Sequence, residues 1–226
     1  MRLMNRFTGE CLGATALVLA LVAAACAELP RFEDDQQADR WLREHSDFYR
    51  RMADGVDRRG GYEIRRTVDY PGGVAYTSKG RGYIELNDAL QGGHRVSVLI
   101  FEMTNLHQEH RHQEVAQRVR TGTIDDPIEF ALLREMIEYD GLHMHHSVLR
   151  EIEPHVGRVP PEMLDWVCVG AHDLASYRPP WAYDYLQAQR ASGHTSHYLR
   201  LFEKHRAEFR ESKADRQAVP AVPQKE

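Results

Sequence analysis

Two sets of side chains in this sequence could do chemistry, and both sit at helical spacing. The first centres on one carboxylate, Glu102, within Val98-Leu99-Ile100-Phe101-Glu102-Met103-Thr104-Asn105-Leu106-His107-Gln108. Burying an unpaired carboxylate is costly, so Glu102 needs a partner. In a structural reading Arg95, Arg134 or Asn105 supplies it. In a catalytic reading this is a catalytic helix, and Glu102 and Asn105 belong to its reaction site. The second set comes from the thirteen histidines, which cluster at His107, His110, His112 and at His143, His145, His146. Histidine is the side chain best able to bind a metal or change charge near neutral pH. His107 and His110 are three residues apart, as are His143 and His146, and so are the carboxylates Glu135 and Glu138. Each pair can therefore share one face of a helix. Were the two helices packed side by side, Glu102 and Asn105 could face Glu135, Glu138 or His146 and hold zinc or another divalent metal. The plainer reading of the histidine runs is a solvated polar face.

The elements that must position these groups are legible from the apolar pattern. Val96, Leu99, Ile100, Met103 and Leu106 predict an amphipathic helix over 95–120 with one face in the core, stopped by Gly122. Asp126 as N-cap, Pro127 at N1 and Glu129 as the capping-box partner open a second long helix. It is expected to end near Ile152, closed by Pro154, with Ile128, Leu132, Leu133, Met136, Ile137, Val148 and Ile152 among its apolar members. Upstream, Trp41 to Val56 predicts a helix over 38–56, ended by Gly60-Gly61. The period then drops to two, giving short strands at 62–68, 74–77 and 83–86. Helices are also expected at 181–190 and 196–212, and 213–226 reads as a disordered tail. The fold class is α+β, mostly helical, with a small sheet packed on a long central helix.

Arg2 and Arg6 followed by an apolar run over 12–25 predict a signal peptide at 1–25. Ordinary signal-peptidase cleavage is one reading. Val22-Ala23-Ala24-Ala25-Cys26 also resembles a lipobox, in which Cys26 carries the lipid and anchors an exported, periplasm-facing envelope protein. Domain boundaries follow as a tether at 26–37, an α+β domain at 38–152 and a helical extension at 153–212. Cys168 reads as a buried small hydrophobe, with no disulfide framework. The formal net charge of −5, without a basic stripe, argues against nucleic acid. Phosphate-binding loops, dinucleotide fingerprints and nucleophilic triads do not occur.

The order of helix, small sheet, then helix with central Glu102 resembles the zincin metallopeptidases, and more narrowly the zincin-like metallopeptidase-type domain of uncharacterised bacterial lipoproteins. The resemblance covers about Phe48 to Ile152 and rests on Gly82-Tyr83-Ile84-Glu85-Leu86-Asn87 as edge strand and Phe101-Glu102-Met103-Thr104-Asn105 in place of H-E-x-x-H. It implies a helix that presents two zinc-binding histidines around a general-base glutamate, with a third ligand from a later helix. Here Phe101 and Asn105 occupy both histidine positions, so the motif is degenerate. Two functions follow: a membrane-anchored, metallopeptidase-type hydrolase of peptide bonds, or a catalytically inactive envelope lipoprotein that binds a peptide or protein partner or sequesters metal.

Overall fold

A computed structural model describes residues 28–164, 174–175 and 179–218. The signal segment, Cys26 and Cys168 lie outside them. The helix expected over 38–56 is two helices, α1 (Asp35–His45) and α2 (Asp47–Asp57), so the expected tether is already helical at Gln37. Ser46 makes the break. Its N–H reaches the Leu42 carbonyl to close α1, and its Oγ accepts the Tyr49 N–H at 3.0 Å to open α2. Glu151, from a distant helix, accepts from Ser46 Oγ at 2.6 Å and from the Phe48 N–H at 2.7 Å. A carboxylate at the amino end of a helix complements its dipole, which stabilises a break that the apolar stripe alone does not announce.

The sheet is mixed. β1 (Tyr62–Thr67), β2 (Gly73–Ser78) and β3 (Arg81–Asn87) lie in the order β1-β3-β2, with β1 parallel and β2 antiparallel to β3. This corrects one expectation: the segment 82–87 is the central strand, and β1 and β2 are the edges. Gly82, Ile84 and Leu86 all point one way and are buried, so β3 has the most complete apolar face and takes the middle. β2 is only partly buried.

Two long helices form the body of the molecule, α3 (Gly92–Arg120) and α4 (Pro127–Val156). Every residue of α3 from Val96 to Thr104 is buried, not just one stripe, because the sheet, α2 and α4 enclose it. Gly122 takes the left-handed backbone (φ 74°) expected just past the helix. Asp126 caps α4 by accepting the Ile128 N–H at 2.8 Å, but Glu129 turns to Arg118 at 3.4 Å and forms no capping box. Pro154 is absorbed in the last turn, and α4 ends at Gly157, whose φ is 66°. Ile128 and Leu132 are exposed; Phe130, Ile137, Val148 and Ile152 carry the buried face.

The helices meet closely at Gly141. A Cβ there would lie 2.8 Å from Thr104 Oγ1 and 3.3 Å from Gln108 Nε2. Alanine normally favours a helix over glycine by about 1 kcal/mol. Gly141→Ala is nevertheless expected to lower stability by about 1–3 kcal/mol in urea unfolding, because α3 and α4 must part. An unchanged or higher midpoint would show that the close approach carries no energy.

A short 3-10 turn, Pro161–Met163, follows α4. Then α5 (Ala182–Ser192) and α6 (His194–Ala218) pack against the long pair. α6 runs through 213–218, a stretch expected as disordered tail. Tyr198 and Phe202 of α6 join Phe130 in a second apolar cluster beside the main core. Among the described residues no helix is long and apolar enough to cross a membrane.

Candidate active site

Glu102 is held between α3 and the edge strand β2. A Cβ on Gly73 would come within 2.9 Å of Glu102 Cγ, so the strand lies directly on this side chain. Glu102 is only 6% exposed. Asn105 Nδ2 donates to its Oε2 at 3.3 Å, and the backbone N–H of Ala75 donates from the strand. The two arginines considered as partners are engaged elsewhere. Arg95 Nη2 bonds Asp35 at 2.8 Å, and Arg134 Nη1 donates to the His112 carbonyl at 3.2 Å. Burial therefore pushes the Glu102 carboxyl up to about 8; the charge of Glu138 adds to this, and the bonds from Asn105 and Ala75 oppose it.

Glu102 and Asn105 line a cleft of about 870 Å³ walled by β2, α3, α4, α5 and α6. Other residues of the lining include His112, Arg134, Glu138 and His194. Glu135 and Glu138 lie one turn apart on α4, and single ligand atoms of Glu135, Glu138 and His194 all fall within 4.8 Å of one another. His194 Nδ1 is 3.1 Å from Glu135 Oε1, and its Nε2 is 3.7 Å from Glu138 Oε2. Glu135 is fully buried and also accepts from Thr195 Oγ1 at 2.9 Å and Tyr185 OH at 3.5 Å. The Tyr198 hydroxyl donates to Glu138. The hydrogen bond to Glu135 raises the pKa of His194, and burial raises that of Glu138.

No protein-family model matches the chain, and no curated protein or solved structure is significantly similar to it. What the site does has to be read from its own groups.

Of the metal candidates read from spacing, the fold assembles Glu135 and Glu138 and adds His194. The others stand apart. His107 packs against Gly55 of α2, its Nδ1 3.4 Å from where a Cβ would be. His110 lines a separate hollow of about 160 Å³ beside Arg59 and Gln113. His143 is exposed, its ring edge-on to Tyr139 at 4.8 Å between centroids. His146 is half-buried and is not part of the cleft lining. Helical geometry accounts for this: five residues separate Glu102 from His107 and Glu138 from His143, a rotation of about 140° around the axis. Positions 98, 102, 105, 109 and 112 share the cleft face of α3 instead. His145 serves packing. It is fully buried, burial lowers it to about 3, and as a neutral ring it donates from Nε2 to Ser97 Oγ at 2.8 Å. Ser97 in turn donates to the Met163 carbonyl at 2.8 Å.

His194 escaped the sequence reading because it falls between two expected helices. Gly193, in the left-handed region at φ 86°, reverses α5 into α6 and delivers His194 onto α4. The glycine was the available signal, since a polar residue beside a sharp helix turn is well placed to reach a neighbouring helix.

The zinc implied by the zincin resemblance does not fit the degenerate motif on α3. Phe101 packs with Leu142 and Tyr185 and has no ligand atom, and Asn105, whose Nδ2 donates to Glu102, offers only a neutral amide oxygen in place of an imidazole. It does fit the cluster on α4 and α6, where two carboxylates and an imidazole form a donor set suited to zinc or a similar divalent ion. A second cavity of about 930 Å³ lies at the amino end of α3. Its buried charges, Arg95 and Asp35, neutralise each other.

Proposed function

We propose that the cleft is a metallopeptidase-type hydrolytic site, with a divalent ion held by Glu135, Glu138 and His194 and with Glu102 as general base. The observation that carries this reading is a buried carboxyl, raised to about 8, that lines the same cleft as two members of a metal-type donor cluster. A bound divalent ion would supply Lewis acidity, polarising the scissile carbonyl and making water easier to deprotonate. The chain's own groups do the rest. Glu102 in its ionised form, which gains population as pH approaches about 8, accepts the proton from water and passes it to the leaving amine. Asn105 and the Ala75 N–H fix its orientation, while Thr195, Tyr185 and Tyr198 hold the donor carboxylates in place. The outer edge of β2, already offering one amide to Glu102, is suited to align an extended peptide. The protein would act in the cell envelope, tied to a membrane through Cys26.

Phe101 and Asn105, standing where the family carries histidines, favour a second reading in which the same cleft holds metal or a partner without turnover. Elemental analysis of the purified full chain, run beside hydrolysis of a fluorogenic peptide library with and without chelator, tests both. One ion per chain with hydrolysis lost on chelation is the expected result. Bound metal without turnover supports the second reading, and neither metal nor turnover overturns the first.

A further inference from the structure

Arg134 stands out among the groups lining the cleft because no carboxylate forms a direct ion pair with it, though the charges of Glu109 and Glu138 reach it from farther off. It lies on α4 immediately before Glu135 and is half-buried. Its guanidinium sits 5.0 Å from the centre of the Tyr198 ring and 6.0 Å from that of Phe130. One nitrogen, Nη1, donates to the His112 backbone carbonyl at 3.2 Å. Nε is buried without a hydrogen-bond partner. Among the described residues no carboxylate lies within ion-pair distance of it. The acids nearby face other ways: Glu135 toward His194 and Thr195, Glu138 toward Tyr198 and His194, and Glu109 toward Gln113.

Removing a guanidinium from water without a direct ion pair is costly, and here the cost is offset by aromatic contact, one carbonyl and the charges of Glu109 and Glu138 acting from beyond ion-pair distance. The edge formed by Nε and Nη2 is also the edge that matches a carboxylate with two parallel hydrogen bonds. In the same cleft, His112 is buried with its Nδ1 lacking a partner. Together they place an unspent set of polar atoms on α3 and α4 within one cleft. Glu102 belongs to that same lining.

We propose that Arg134 is the carboxylate-recognition residue of this cleft, so that the molecules it accepts are peptides bearing a free carboxylate that pairs with the Arg134 guanidinium. This rests on the hydrolytic reading for its choice of peptides, but the recognition itself requires no metal. The carboxylate can be a peptide C-terminus or an acidic side chain, and the chemistry is the same for either.

The test is calorimetric titration of the full chain, in chelator, with N-acetyl-trialanine and its C-terminal amide, and with N-acetyl-Ala-Glu-Ala-amide and its Gln counterpart. The expected result is that at least one acid binds about ten to a hundred times more tightly than its uncharged partner. The first pair assigns the site to a chain terminus, the second to a side chain. In Arg134→Gln that ratio should fall to about one while the uncharged peptide binds as before. Should Arg134→Gln fail to fold, Arg134→Lys keeps the charge without the two-pronged edge and should cut the ratio by most of its value. Equal binding of acid and amide, no binding of any probe, or a ratio unmoved by these variants would overturn the proposal. Discrimination by a chain that takes up no metal would leave it standing while removing the hydrolytic reading.

Discussion

Glu102→Gln is expected to cut peptide hydrolysis by at least about a hundredfold and, above pH 8, to make the protein more stable than the wild type. Burial raises the Glu102 carboxyl from its ordinary value of 4.5 to about 8. Below pH 4.5 both the folded and the unfolded chain carry the proton, and the group costs nothing. Between the two values the unfolded chain ionises while the folded chain keeps its proton. Folded stability therefore falls as pH rises, by about 1.4 kcal/mol per pH unit. The full deficit, roughly 4 to 5 kcal/mol, persists above pH 8. Glutamine can still accept from Asn105 and the Ala75 N–H but has no charge to bury, so its stability should be flat across this window. Loss of a general base lowers turnover by about a hundred- to ten-thousand-fold. Urea unfolding of both proteins at pH 5 and pH 8.5, with peptide hydrolysis measured in parallel, separates the two effects. A variant that loses activity yet is no more stable than wild type at pH 8.5 would mean that Glu102 is already ionised and compensated, contrary to its surroundings.

Glu135→Ala should have the largest structural effect. Glu135 is fully buried and accepts from His194, Thr195 and Tyr185. Removing it leaves the buried Tyr185 hydroxyl and two partly exposed donors, His194 and Thr195, without their acceptor, a loss of about 2–4 kcal/mol. The same substitution removes a ligand. Zinc at a hundred times its dissociation constant should stabilise the wild type by about 2.7 kcal/mol and leave Glu135→Ala unmoved. His194 adds a pH signature. Its pKa is raised by the bond to Glu135, and only the neutral ring can ligate. Zinc affinity should therefore rise as pH climbs through the folded His194 pKa, and His194→Ala should lose that dependence along with most of the affinity. Thermal unfolding with and without zinc at several pH values measures both. An equal zinc-induced shift in the wild type and in Glu135→Ala would place the metal elsewhere.

How much of this was readable beforehand differs between fold and site. The long helices were plain because Asp126-Pro127 and Gly122 punctuate strong 3.6-residue patterns. The break at Ser46 was not, because the apolar stripe passes straight through it and the stabilising Glu151 lies on another helix. The edge strand was misassigned for a related reason. β2 and β3 both read as short strands, and only their pairing and their packing on α3 decide which of them takes the middle.

Local sequence determined that Glu102 sits in the apolar run of a helix, and that Glu135 and Glu138 share a helical face, since both follow from a periodicity of 3.6. Tertiary structure alone decided which of thirteen histidines joins them. Ligand geometry depends on the relative rotation of α3, α4 and α6 and on the turn at Gly193, and no spacing within one helix encodes that rotation. The same holds for Arg134: whether an arginine finds a carboxylate is a matter of what the neighbouring helices leave unpaired.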